Sequence, residues 1–194
     1  METVTKVNQP IFVMGSPRSG TTFVTDWIGK VCENKYMEDP HFPVESAESW
    51  EFSSLDFVLK WCHIFQKADV LIERWPQCRF IHVVRNPLDV LYSITHPKEQ
   101  SFPFRDFGDM RDTDRAIQWW SFHIQGCQQV TAWHRKHSIT IHYEKLPEEK
   151  GRLESFLSCS LSDLKGFHPT SHGDLEFKWM NSHLLIEKRN GSES

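Results

Sequence analysis

The stretch that decides the fold runs from Ile11 to Ile28 and reads IFVMGSPRSGTTFVTDWI. A short apolar run is followed by a loop bounded by Gly15 and Gly20, and then by apolar residues at helical spacing. The two glycines stand at the Gly-x4-Gly spacing of a Walker A loop, between a predicted strand and a predicted helix. Such a loop turns backbone N–H groups and the positive end of a helix toward an anion. The sequence therefore predicts a phosphate-binding unit here.

The loop departs from the Walker pattern in a way that limits its chemistry. Thr21 stands where the pattern has lysine, and the positive charge lies inside the loop as Arg18. The clearest later strand, residues 79–84, is followed by Arg85 rather than by a metal-binding aspartate. Enzymes that use Mg-ATP need the lysine and usually that carboxylate. We therefore expect arginines and backbone amides to bind the anion without a metal, which argues against the alternative of a small-molecule P-loop kinase.

Outward from this unit, predicted strands and helices alternate, which favours a mostly parallel sheet covered by helices. The fold prediction is an α/β P-loop fold of three layers, with a central sheet of four to five strands. We expect residues 1–194 to form one domain and the polar tail, 187–194, to be mobile. The predicted strands are 11–14, 35–38, 57–60, 79–84 and 138–143, and the predicted helices are 21–31, 64–74, 114–136, 148–159 and one that begins at Pro87.

Composition excludes several classes of partner. The 22 basic and 26 acidic residues give a net charge of −4, whereas proteins that bind nucleic acid or anionic membranes in general are normally basic. No apolar run approaches the roughly 18 residues that span a bilayer. We expect neither nucleic acid nor a membrane among the partners, and the histidines and cysteines have no spacing typical of a metal site.

The cysteine pattern predicts a reducing compartment. The five cysteines are an odd number, widely spaced and without a CxxC pair, which indicates reduced thiols. The first strand-like run begins at Ile11, which leaves no room for a signal peptide. A cytoplasmic location is therefore expected.

A second anion site is predicted in the run FIHVVRNPLDVLYS, residues 80–93. Arg85 follows the end of a strand, where open α/β sheets bind ligands. Asn86 and Pro87 have the residue types of a helix cap and a first helical position. Ser93 lies about two turns after Asn86 and can share its helix face. An arginine and a hydroxyl together can bind a phosphate.

GSPRSGTT at 15–22 and the run at 80–93 resemble the two cofactor signatures of sulfotransferases that use PAPS (3′-phosphoadenosine 5′-phosphosulfate). The PRSGTT form is similar to the branch that includes tyrosylprotein and bacterial sulfotransferases. The resemblance implies transfer of a sulfuryl group from PAPS to a hydroxyl acceptor, which leaves adenosine 3′,5′-bisphosphate. Three smaller elements resemble the family in the right order: Trp75-Pro76, HYEKL at 142–146 and Lys178-Trp179.

The resemblance also implies which residues contact the nucleotide. Arg85 and Ser93 would hold the 3′-phosphate, and Tyr143 and Lys178 would add further contacts. The residues implied for the 5′-phosphosulfate are Arg18, Ser19, Gly20, Thr21 and Thr22.

For catalysis, Arg18 is expected to stabilise charge on the bridging oxygen, with Lys60 assisting. A base must also take the acceptor proton. By resemblance the base is a carboxylate, Glu38 slightly ahead of Asp39, or else the imidazole of His63. The acceptor could be a small molecule, a sugar or a peptide tyrosine. The other alternative is a degenerate module that binds nucleotide without turnover.

Overall fold

The computed structural model describes residues 9–32, 34–37, 55–96, 112–164 and 167. The strands in it are β1 (Ile11–Met14), β2 (Asn34–Met37), β3 (Phe57–Lys60), β4 (Arg79–Val84) and β5 (Ser138–His142). They form one five-stranded sheet in the order β2-β3-β1-β4-β5, and every neighbouring pair is parallel. Both the predicted parallel arrangement and the predicted strand number are confirmed.

Helices cover both faces of this sheet. They are α1 (Thr21–Ile28), α2 (Ala68–Arg74), α3 (Pro87–Thr95), α4 (Thr113–Trp133) and α5 (Leu146–Leu157). Strand β1 illustrates the packing, because successive side chains of a strand point to opposite faces. Ile11 and Val13 lie in a core with α1 and α5, whereas Phe12 and Met14 lie in a core with α2 and α4. Each such buried side chain contributes about 1.5–3 kcal/mol. The three-layer α/β prediction is therefore confirmed.

The helix boundaries differ from the predicted ones by a few residues. Helix α1 ends at Ile28 rather than at residue 31, and the N–H of Gly29 makes the last bond, to the Thr25 carbonyl at 2.8 Å. Helix α5 begins two residues earlier than predicted because Pro147 fits its first turn. Helix α4 ends at Trp133, three residues before the predicted end, and a short 3-10 turn over 135–137 follows it.

The parallel order places functional segments together. The carboxyl ends of β3, β1 and β4 are neighbours, since Val13 pairs with Lys60 and with Ile81. The loop that follows β1, residue Lys60 and the Arg85 segment therefore meet at one edge of the sheet, where ligands of open α/β sheets bind.

Candidate active site

The loop between β1 and α1 depends on its two glycines. A Cβ atom on Gly15 would lie 2.6 Å from the Val83 carbonyl oxygen, so the loop runs directly against β4. Gly20 precedes α1 with φ +90, and a Cβ atom there would lie 2.2 Å from ring atoms of Tyr143. Gly20 is therefore required by its left-handed backbone, and both glycines are required by close contacts with residues distant along the chain.

Within the loop, an exposed charged residue is followed directly by a buried polar residue. Arg18 is exposed and adopts φ 72, a left-handed backbone conformation that is uncommon outside glycine. Ser19 is 1% exposed, and among the residues that the structure describes its hydroxyl has no hydrogen-bond partner. A buried hydroxyl at a helix N-terminus is well suited to an anion, which would supply the missing partner.

Arg85 joins the loop to α3. One of its Nη atoms donates to the Arg18 carbonyl oxygen at 3.1 Å, and the other lies 3.9 Å from a carboxylate oxygen of Asp89. Its guanidinium also lies over the Tyr143 ring, 5.1 Å from the centroid. These contacts fix the cation at the carboxyl end of β4, where the sequence predicted an anion site.

Arg18 and Ser93 are in direct contact, although the resemblance assigned them to different anions. The Nε of Arg18 donates to the Ser93 hydroxyl oxygen at 2.7 Å. The structure therefore brings the two predicted anion sites together into one continuous site.

Tyr143 forms an aromatic wall beside the loop. Its ring packs edge-on against Phe23, at 6.1 Å between centroids, and against Phe167, at 5.4 Å. Burial raises the pKa of its hydroxyl, while the charge of Arg85 acts in the opposite direction. Tyr143 therefore carries a neutral hydroxyl and contacts both Gly20 and Arg85.

One residue that sequence reasoning missed anchors α3. The Asn86 N–H donates to a carboxylate oxygen of Glu144 at 2.7 Å, while the Asn86 side chain caps the helix by accepting from the Leu88 N–H at 2.9 Å. The cap was predicted and is confirmed. Glu144 lies within the HYEKL element, but nothing in that pattern indicates its partner.

These segments surround a pocket of about 420 Å³. Three of its lining side chains are cationic, Arg18, Lys60 and Arg85, and one is a carboxylate, Asp26. Lys60 is 5% exposed, so its charge lies deep in the site. Asp26 was not predicted, although its position one helical turn after Thr22 is readable in the sequence. The full lining is Pro17, Arg18, Gly20, Thr21, Thr22, Phe23, Asp26, Lys60, Cys62 and Arg85.

The proposed bases are only partly described. His63 lies three residues beyond Lys60, and its ring is 4.7 Å from that of His123 between centroids. Glu38, Asp39 and Lys178 lie outside the described residues. The predicted mobile tail lies outside them as well.

Metal-binding clusters and membrane-spanning helices are both absent from the described ranges. No cluster of three or more histidine, cysteine, aspartate or glutamate side chains there could hold a metal ion. No helix in the same ranges has both the length and the apolar character needed to cross a membrane.

Comparisons with known proteins agree with this geometry. The fold resembles mouse sulfotransferase SULT7A1, solved in complex with PAP, with a TM-score of 0.57 and 18% identity. That match covers 81% of this chain and spans 61% of the mouse chain. No curated protein matches the sequence. The family model described as "Sulfotransferase domain" matches residues 8–166, most of the sequence. The chain belongs to the sulfotransferase family.

Proposed function

We propose that this protein transfers a sulfuryl group from PAPS to a hydroxyl acceptor, releasing adenosine 3′,5′-bisphosphate. The observation that carries the proposal is the cationic pocket: Arg18, Lys60 and Arg85 line it at the end of a glycine-bounded loop that lacks the Walker lysine. The family membership of the chain and the PAP bound to its mouse relative support the same reaction.

The described residues fit a nucleotide with two anionic ends. The buried Ser19 hydroxyl lacks a partner in the described part of the chain, and it lies beside loop amides at the start of α1. We assign the 5′-phosphosulfate to Arg18, Ser19, Gly20, Thr21 and Thr22. We assign the 3′-phosphate to Arg85 and Ser93, with Tyr143 beside it. Lys178 remains a prediction.

The chemistry needs charge stabilisation and a base. The acceptor oxygen attacks sulfur while the bond from sulfur to the bridging oxygen breaks, and the bridging oxygen leaves with the electron pair. In this proposal Arg18 and Lys60 stabilise the negative charge that develops on the bridging oxygen, because preorganised cations in a partly buried site interact strongly with such charge. Glu38, Asp39 or His63 takes the acceptor proton.

The proposal extends to the acceptor class, the domain organisation and the location of the protein. The acceptor is a hydroxyl compound, and a small molecule, a sugar and a peptide tyrosine all have the required group. The single-domain organisation of residues 1–194 is proposed as well. A cytoplasmic location is proposed too, because the cysteine pattern indicates reduced thiols.

Calorimetric titration with adenosine 3′,5′-bisphosphate, AMP and Mg-ATP tests the proposal. We expect the bisphosphate to bind without metal and more tightly than AMP. Replacing Arg85 with alanine should remove that preference, a loss of about 10- to 100-fold for one charged hydrogen-bonding group. Arg115, which is exposed on α4, provides the matched control, since Arg115→Ala removes an arginine that does not line the pocket.

Two results would contradict the proposal. A preference for Mg-ATP would indicate the kinase chemistry that Thr21 argues against. A 3′-phosphate preference that survives Arg85→Ala would mean that the second anion site has been assigned to the wrong residue.

A further inference from the structure

A buried histidine of α4 presents a fixed hydrogen-bond acceptor next to His63. His123 is fully buried, and its Nδ1 lies 2.8 Å from the Trp119 carbonyl oxygen. A carbonyl oxygen can only accept, so Nδ1 carries the ring proton and Nε2 carries the lone pair. In the described part of the chain, Nε2 has no hydrogen-bond partner.

The surroundings of His123 keep the ring neutral and in place. The rings of Trp119, Phe65 and Phe122 pack around it at centroid distances of 4.3, 5.5 and 5.6 Å. Burial lowers its pKa to about 4, and the charge of His63 acts in the same direction. Nε2 of His123 is therefore unprotonated at neutral pH. Leaving a buried acceptor without a partner is unfavourable, so a donor that reaches Nε2 stabilises the protein.

Among the rings packed against His123, that of His63 is a second imidazole. Its centroid lies 4.7 Å from that of His123, and the two planes are inclined by 55°. His63 also follows Cys62 directly and Lys60 by three residues, and both of those residues line the cationic pocket. His63 therefore directly follows a pocket residue in the chain, and its ring packs against that of His123.

We propose that His123 is a positioning residue, whose Nε2 accepts a hydrogen bond from one ring N–H of His63. The proposed bond requires the His63 ring to turn about its Cβ–Cγ bond until that N–H faces Nε2. Its other nitrogen is then unprotonated and directed to the acceptor hydroxyl, as an oriented base requires. The inference rests on the proposed function and favours His63 over Glu38 and Asp39 as the base.

The proton balance of the step is simple. The unprotonated nitrogen of His63 takes the hydroxyl proton as the acceptor oxygen bonds to sulfur, and the bridging oxygen leaves with its electron pair. His63 becomes a cation, and its N–H bond to the neutral His123 strengthens because the donor is now charged.

Nitrogen-15 NMR of the histidine-labelled full chain tests this proposal without any acceptor. Long-range proton–nitrogen correlations report which ring nitrogen of each histidine is protonated. We expect His123 to be protonated at Nδ1 and His63 to hold a single tautomer near neutral pH. His123→Phe keeps a ring of similar size but removes the acceptor, so His63 should exchange between tautomers. His123→Gln restores an acceptor oxygen and should restore the single tautomer.

Controls separate this result from the proposed function. His96→Gln, at an exposed position directly after α3, should leave the His63 signals unchanged. If His123→Phe does not fold, His63→Phe serves instead, and the Nε2 signal of His123 should shift to that of an unbonded nitrogen. Protonation of His123 at Nε2, or an unchanged His63 tautomer in His123→Phe, overturns the inference. Binding of adenosine 3′,5′-bisphosphate is measured separately on the same samples, and its failure would overturn the proposed function alone.

Discussion

Two glycines bound the phosphate loop, and each is needed for a different physical reason. At Gly15 a side chain would meet the carbonyl oxygen of Val83, which belongs to the sheet backbone and cannot move aside. At Gly20 it would meet the Tyr143 ring, and the backbone conformation itself, with φ +90, disfavours any side chain. The loop therefore lies closer to β4 and to Tyr143 than any other residue type would allow.

Gly20→Ala should destabilise the protein by about 1–3 kcal/mol, because left-handed strain adds to displacement of the Tyr143 ring. Binding of adenosine 3′,5′-bisphosphate should weaken as well, since Tyr143 packs under Arg85. Urea unfolding and calorimetry measure the two effects. Gly151→Ala is the matched control: a Cβ there has nothing within 4 Å, and alanine in a helix stabilises by about 0.5–1 kcal/mol. Equal effects at both glycines would contradict this account.

At this scale the sequence predicted which residue types matter, but not what they touch. The spacing of Gly15 and Gly20 and the charge of Arg18 are local patterns, so they could be read directly. Tyr143 is distant from Gly20 along the chain, and only the folded structure reveals that its ring fills the space beside that glycine.

Helix α3 is held at its N-terminus by one predicted contact and one that could not be predicted. The Asn86 cap follows from the residue types before Pro87 and is confirmed. The bond from the Asn86 N–H to Glu144 depends on β4 and β5 being neighbours, which is a property of the sheet order. Since Arg85 immediately precedes Asn86, this bond positions the proposed 3′-phosphate site.

Glu144→Ala should therefore lower the free energy of unfolding by about 1.5–3 kcal/mol, the range for a hydrogen bond to a charged group. It should also weaken binding of adenosine 3′,5′-bisphosphate while leaving the pocket cations in place. Urea denaturation and calorimetry provide the two measurements. Glu148→Ala removes an exposed glutamate from the first turn of α5 and serves as the control, with an expected loss of about 0.3–1 kcal/mol. If the two variants behaved alike, the Glu144 contact would have no special role.

For the molecule as a whole, strand order decides which predicted motifs meet. The alternation of strands and helices predicted a parallel sheet, and the glycine loop predicted where an anion binds. Neither pattern specifies the strand order β2-β3-β1-β4-β5, because that order depends on how the helical connections cross the sheet. Glu144 and His123 were missed because their partners, the Asn86 N–H and the His63 ring, depend on how distant elements pack together.

The sheet and α4 also bury two histidines, and this makes the stability of the whole protein sensitive to acid. Burial lowers the pKa of His82 to about 4, with the nearby His142 charge adding to the effect, and burial likewise lowers the pKa of His123 to about 4. Both values lie below the ordinary 6.5, so the unfolded chain binds more protons than the folded chain between those limits. Stability is thus fully present above pH 6.5 and is lost as the pH falls toward 4.

Each histidine should contribute a slope approaching about 1.4 kcal/mol per pH unit within that window. Urea unfolding at a series of pH values from 7.5 to 5 measures the combined slope. His82→Phe removes one titrating ring, together with two buried nitrogens that lack hydrogen-bond partners in the described residues. The variant should therefore lose up to about 1.4 kcal/mol per pH unit of the slope and be at least as stable as the parent at pH 7, because no satisfied polar contact is given up. A variant with the full slope, or with a large loss of stability at pH 7, would mean that His82 has a polar partner in solution.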